Sequence, residues 1–108
     1  MEEKVVCRTP TPGRGPTRID RWKFERVRAA ILAVVPDEEP GLAFAELPGA
    51  VEASLSDDER ARLGSVAWYT TAVKLELEVR GELRRLPGVR PQRLVRIVDG
   101  EGRERSDG

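Results

Sequence analysis

The chain has 108 residues with 19 basic and 19 acidic side chains, a formal net charge of zero, no histidine and one cysteine. That length suggests one domain with a small core, and the neutral total argues against a strong non-specific nucleic-acid binder. Without histidine the commonest general base and metal ligand are gone, and Cys7 alone allows no internal disulfide or cysteine metal site, so no enzyme activity, cofactor or metal is expected.

The N-terminus, MEEKVVCRTP, has no apolar core that could serve as a signal peptide. No apolar run approaches the roughly 20 residues of a membrane helix, so a cytoplasmic protein with no membrane partner is expected. Residues 1–19 read as an extended N-terminal arm, because the Pro10, Pro12 and Pro16 region blocks helix formation. Val5 and Val6 suit an edge strand. Asp20 is a good N-cap for a first helix that stops before Pro36. Phe24, Val27, Ile31 and Val34 recur at steps of three and four and line one face. Trp22 lies off that stripe and is expected under the arm.

After the turn at residues 37–41, Phe44, Leu47, Val51 and Leu55 give the spacing of a second helix over about 44–54, with Pro48 tolerable only in its first turn. Ser56 and Glu59 have the spacing of a capping box for a short helix over 57–63, ending near Gly64. Ser65 can cap the longest helix, 65–80, and Gly81 can end it. This helix carries two apolar stripes. Trp68, Ala72, Leu75 and Val79 form one; Val66, Val73 and Leu77 form the other. Such a helix is expected at the centre of the domain, packed by the first two helices on one side and the hairpin on the other; the alternative is that the second stripe, with Tyr69, forms a dimer contact. A strip of Ala67, Thr70, Thr71, Lys74 and Glu78 is left for solvent or ligand. Strands over 82–86 and 92–98 then flank Leu86-Pro87-Gly88-Val89, which suits a type II turn. The tail, 99–108, is polar and expected to be disordered.

Charge is unevenly divided. Residues 36–60 carry one basic and eight acidic side chains, whereas 61–98 carry eight basic and three acidic. Arg84, Arg85, Arg90, Arg93 and Arg96 make the hairpin the most basic short region.

The run VKLELEVRGELRRLPGVRPQRLVRI resembles the third helix and wing of winged helix-turn-helix domains. Through TPGRGPTRID, RAAILAVVPDEEPGLAFAEL and the Trp68–Gly81 helix, the chain also resembles a family of small uncharacterised bacterial proteins with no assigned activity. The resemblance implies a mainly α fold with a small β-hairpin: three main helices plus a C-terminal wing, spanning residues 20–98. By position it implies duplex-DNA contacts from Thr70, Thr71 and Lys74 on the helix and from Arg84, Arg85, Arg90 and Arg93 on the wing. The helix departs from that pattern: it has no arginine, asparagine or glutamine before Arg80, and Glu76 and Glu78 repel phosphates. Two functions are therefore expected in competition. One is a DNA-binding regulator or accessory protein that works mainly through its wing. The other is a protein-interaction or assembly module, as a homodimer or with another protein, that binds no nucleic acid.

Overall fold

The computed structural model describes residues 3–10, 15–88 and 90–98, and its first element is a hairpin where a free arm is expected. Strand β1 (Lys4–Cys7) pairs antiparallel with β2 (Thr17–Asp20), with Val5 opposite Ile19 and Cys7 opposite Thr17. Alternation turns Val5, Cys7 and Ile19 into the core and leaves Val6 outside. The arm expectation is corrected on that ground: three apolar side chains gain burial that a free leader forgoes, at roughly 1.5–3 kcal/mol for each large one.

Helix α1 (Arg21–Val34) follows directly and buries Phe24, Val27, Ala30 and Ile31. Its end before Pro36 is as expected. Asp20 takes the N-cap position, as expected, but its side chain makes no capping hydrogen bond. The Asp20 carboxylate pairs across the hairpin with Lys4 instead. Trp22, expected under the arm, packs against the guanidinium of Arg62, whose Cζ lies 4.8 Å from the ring centroid.

The chain then forms a short strand, β3 (Leu42–Ala43), and a 3₁₀ turn over Phe44–Glu46 before α2 (Leu47–Ser54). The second helix thus starts three residues later than its spacing suggests, with Pro48 in the first turn, where a missing donor costs nothing. Helix α3 (Asp57–Leu63) has the expected capping box. Ser56 Oγ accepts from Glu59 N at 3.1 Å, and Glu59 Oε1 accepts from Ser56 N at 2.9 Å. Helix α4 (Val66–Arg80) begins with Ser65 Oγ accepting the Trp68 N–H and ends at Gly81, which takes the left-handed conformation.

Strands β4 (Leu83–Arg85) and β5 (Arg93–Arg96) form the C-terminal hairpin, shorter than its sequence suggests. Gly88 has the positive φ that a type II turn needs at that position; Val89 lies outside the described residues, as does the tail 99–108 expected to be disordered. Strand β5 is the middle of a three-stranded antiparallel sheet, order β3-β5-β4, with Leu42 opposite Leu94. Gly41 makes this pairing possible. A Cβ there would stand 2.1 Å from Leu94 O.

Among the described residues the fold is thus four α-helices and two small antiparallel sheets, a mixed α/β arrangement. Val27 and Ile31 of α1, Leu47 and Val51 of α2, Val73 and Leu77 of α4 and Leu94 of β5 meet in one fully buried cluster. None of the described helices is long and apolar enough to cross a membrane.

Candidate functional site

Helix α4 separates the two candidate surfaces, and packing decides which of its stripes faces out. Val73 and Leu77 are fully buried, so this stripe packs in the core, as expected of a central helix, and is not the dimer contact of the alternative reading. Tyr69, assigned to the same contact, is held within the domain: its hydroxyl accepts from Lys23 Nζ at 3.2 Å, and that ammonium also lies 4.9 Å from the Tyr69 ring centroid. The other stripe is the outward one. Trp68 is 49 % exposed and Val79 36 % exposed, with Ala72 and Leu75 half-buried between them. The Trp68 ring meets Tyr69 edge-on at 4.9 Å between centroids.

The strip expected to face solvent or ligand is mostly inside. Thr70 is fully buried, and its hydroxyl has no hydrogen-bond partner among the described residues. Lys74 is 3 % exposed. It pairs with the Glu78 carboxylate one turn on, with its Nζ 4.7 Å from the Phe44 ring centroid. Burial lowers the Lys74 pKa, and Glu78 opposes that effect. Glu78 also accepts from Arg85 Nε at 2.9 Å. Helical angles separate the stripes correctly, but they do not show that an internal ion pair lets charged residues face the core.

The expected DNA-contact residues are therefore not gathered on one surface. Thr70 and Lys74 are buried. Thr71 is half-buried in a groove of about 200 Å³ between β1–β2 and α4, lined also by Cys7, Thr17, Trp68, Ala72 and Leu75. Arg93 donates to the Pro40 and Gly41 carbonyls at 2.7 and 3.1 Å, bracing the β3 side of the sheet. Arg85 is drawn to Glu78. Arg84 and Arg90 are exposed and form no ion pair among the described residues.

A further cluster escapes the sequence. Glu76, at 1 % exposed, accepts from Arg8 N at 2.7 Å, Arg8 Nε at 3.1 Å and Arg8 Nη2 at 2.8 Å, and from Arg80 Nε at 2.8 Å. Arg80 lies over the Phe24 ring, 4.8 Å from its centroid. Burial alone would raise the Glu76 pKa. The donors from Arg8 and Arg80 outweigh it and bring the pKa from the ordinary 4.5 down to about 2. Next to it, the Cys7 thiol is pushed up to about 11, by burial first and by the Glu76 charge second. The Glu76–Arg80 spacing is readable as a helical i,i+4 pair. Arg8, 68 positions away, gives no signal in sequence. Lys4, Val6, Arg8, Arg21, Phe24, Arg28, Glu76 and Arg80 line an open groove of about 540 Å³ at this cluster. Among the described residues there is no group of three or more His, Cys, Asp or Glu that could hold a metal ion.

The model of a family of unknown function, DUF6958, matches residues 4–94. No curated protein and no solved structure matches the chain.

Proposed function

We propose that this chain, which belongs to that family of unknown function, is a small self-assembling interaction module built on a winged helix-turn-helix frame. The support for the frame is the element order α1, β3, α2, α3, α4, β4, β5, with β5 between β3 and β4. In such a frame the exposed face of the last helix is the one that reads DNA bases. The observation that carries the interaction reading is that this face presents Trp68, Ala72, Leu75 and Val79 at 4-3-4 spacing. That is the spacing of a helix-packing seam. The occupant is a second copy. Trp68 stands beside a groove floored by Thr71, Ala72 and Leu75, so knob and hole lie on one patch, as a two-fold contact requires. Zero net charge leaves no net repulsion between copies.

Sedimentation velocity across a concentration series tests this. The seam is small against a standard interface of roughly 800 Å² per partner, so dimers are expected only above about 50 μM. Trp68→Ala is expected to abolish them. A strict monomer at about 1 mM, or dimerisation unchanged by Trp68→Ala, refutes the reading.

The second reading, duplex-DNA contact through the wing, is favoured by one observation: Arg84 and Arg90 are exposed and free of ion pairs among the described residues. Fluorescence anisotropy with a short duplex at low salt tests it. The double variant Arg84→Ala/Arg90→Ala is expected to lower the salt slope by about two. No binding at low salt removes this reading.

A further inference from the structure

We propose that the groove between β1, α1 and α4 binds a small phosphate monoester, with Arg8, Arg80 and Arg28 holding the phosphate. This is independent of the α4 seam.

Of the arginines that line this groove, Arg8 just past β1, Arg28 on α1 and Arg80 on α4 are each anchored by a carboxylate that leaves part of the guanidinium free. Arg80 uses Nε on Glu76, and Arg28 uses Nε on Glu82 at 2.8 Å. Neither uses its two terminal nitrogens in any other hydrogen bond among the described residues. Arg8 uses Nε and Nη2 on Glu76, which leaves Nη1. Glu76 is buried, and its acceptors are taken up by Arg8 and Arg80. The groove thus offers several N–H donors, while the other carboxylate in its lining, Glu25, is engaged by Arg21. An acceptor-only ligand fits that arrangement.

The forks are also preorganised. Arg8 Nη2 and Arg80 Nε both bond Glu76 Oε2, so the two guanidinium groups are held side by side against one oxygen. Arg80 is further restrained by the Phe24 ring. Less side-chain freedom is lost when an anion binds to forks already in place. Set against Glu76 and Glu82, the three arginines leave one positive charge, and the other cations of the lining are paired, Lys4 with Asp20 and Arg21 with Glu3 and Glu25, so attraction at a distance is weak and a compact dianion is favoured over a long polyanion. A polyanion running along the groove also meets Glu25, which lines it and pairs with Arg21. Val6, exposed on β1 and lining the same groove, offers an apolar wall for the ester group.

Isothermal titration at low ionic strength, with phenyl phosphate and with inorganic phosphate, tests the site. Sodium chloride at matched ionic strength is the control. Phenyl phosphate is expected to bind in the range of about 1 mM or tighter. Arg28→Gln, which removes a fork without touching Glu76, is expected to weaken it roughly tenfold. Arg80→Lys keeps the charge and loses the fork, and is expected to weaken binding similarly. Arg62→Gln, outside the groove, is expected to change nothing. If inorganic phosphate binds as tightly as the ester, the site still stands and its ligand is free phosphate. No binding up to about 50 mM overturns the proposal. So does a loss in Arg62→Gln equal to that in Arg28→Gln, or a response that chloride reproduces.

Discussion

Replacing Glu76 by glutamine keeps the size of the side chain, removes its charge and leaves Arg8 and Arg80 facing each other without their shared counter-charge. The magnitude follows from the proton linkage. In the unfolded chain Glu76 titrates near 4.5, and in the folded protein near about 2. A folded-state pKa below the unfolded one means that the ionised carboxylate stabilises the fold at every pH above about 4.5, and that this contribution is lost as pH falls from there toward 2. A difference of this size corresponds to about 3 kcal/mol at neutral pH, in line with removing one member of a buried pair. Against a total of roughly 5–15 kcal/mol for a domain this size, the loss is large and lowers Tm on the order of 10 °C. The assay is urea denaturation of wild type and Glu76→Gln between neutral pH and the lowest pH at which both fold. The gap between the two proteins is expected to be about 3 kcal/mol at pH 7 and to close as pH falls below 4.5. A gap under about 0.5 kcal/mol at neutral pH, or one that stays constant across the acid range, refutes the linkage.

Four further outcomes are expected. Thr70→Val removes a buried hydroxyl that has no partner among the described residues and is expected to raise stability by about 1 kcal/mol in the same denaturation assay; a loss shows that the hydroxyl is satisfied. Gly41→Ala is expected to cost more than about 2 kcal/mol, because φ is +71° and the new Cβ meets the Leu94 carbonyl; near-wild-type stability means β3 does not pair as described. Ser56→Ala removes one arm of the capping box and is expected to cost about 1 kcal/mol, read from the same urea midpoints, with no change indicating that the cap is frayed in solution. Burial that lifts the Cys7 pKa to about 11 predicts that a thiol reagent labels the native protein at neutral pH only as fast as it unfolds; rapid stoichiometric labelling contradicts that burial.

The parts legible in the sequence are those whose signals are local. Ser56 and Glu59 announce α3 because both halves of their capping box lie within one turn. Ser65 and Gly81 bound α4 because a cap and a left-handed terminator act on their own helix end. The N-terminal hairpin is different. Its two strands are separated by a proline-rich stretch, and beside α1 what holds them in place is contact with α4, through Arg8 and Glu76, far along the chain. The orientation of α4 was likewise hidden. Its two stripes are nearly equivalent in hydropathy, and burial of the Lys74–Glu78 pair removes the usual rule that the charged side faces water. That reversal moves the candidate surface from the strip of Thr70 and Lys74 to the seam of Trp68 and Leu75. The wing arginines were legible as a basic patch, but not the carbonyls and carboxylates that occupy Arg93 and Arg85.

The tie between Arg8 and Glu76 also sets an order of events during synthesis. The N-terminal strands leave the ribosome first, yet their docking site is not made until α4 has followed. At roughly 5–20 residues per second, the wait is on the order of 3–14 s. Throughout it, Val5, Cys7 and Ile19 have α1 to pack on but not α4, and Cys7 is more open to oxidation. The N-terminal hairpin is therefore a late-closing seal on the domain, and cells carrying Glu76→Gln are expected to expose that thiol for longer.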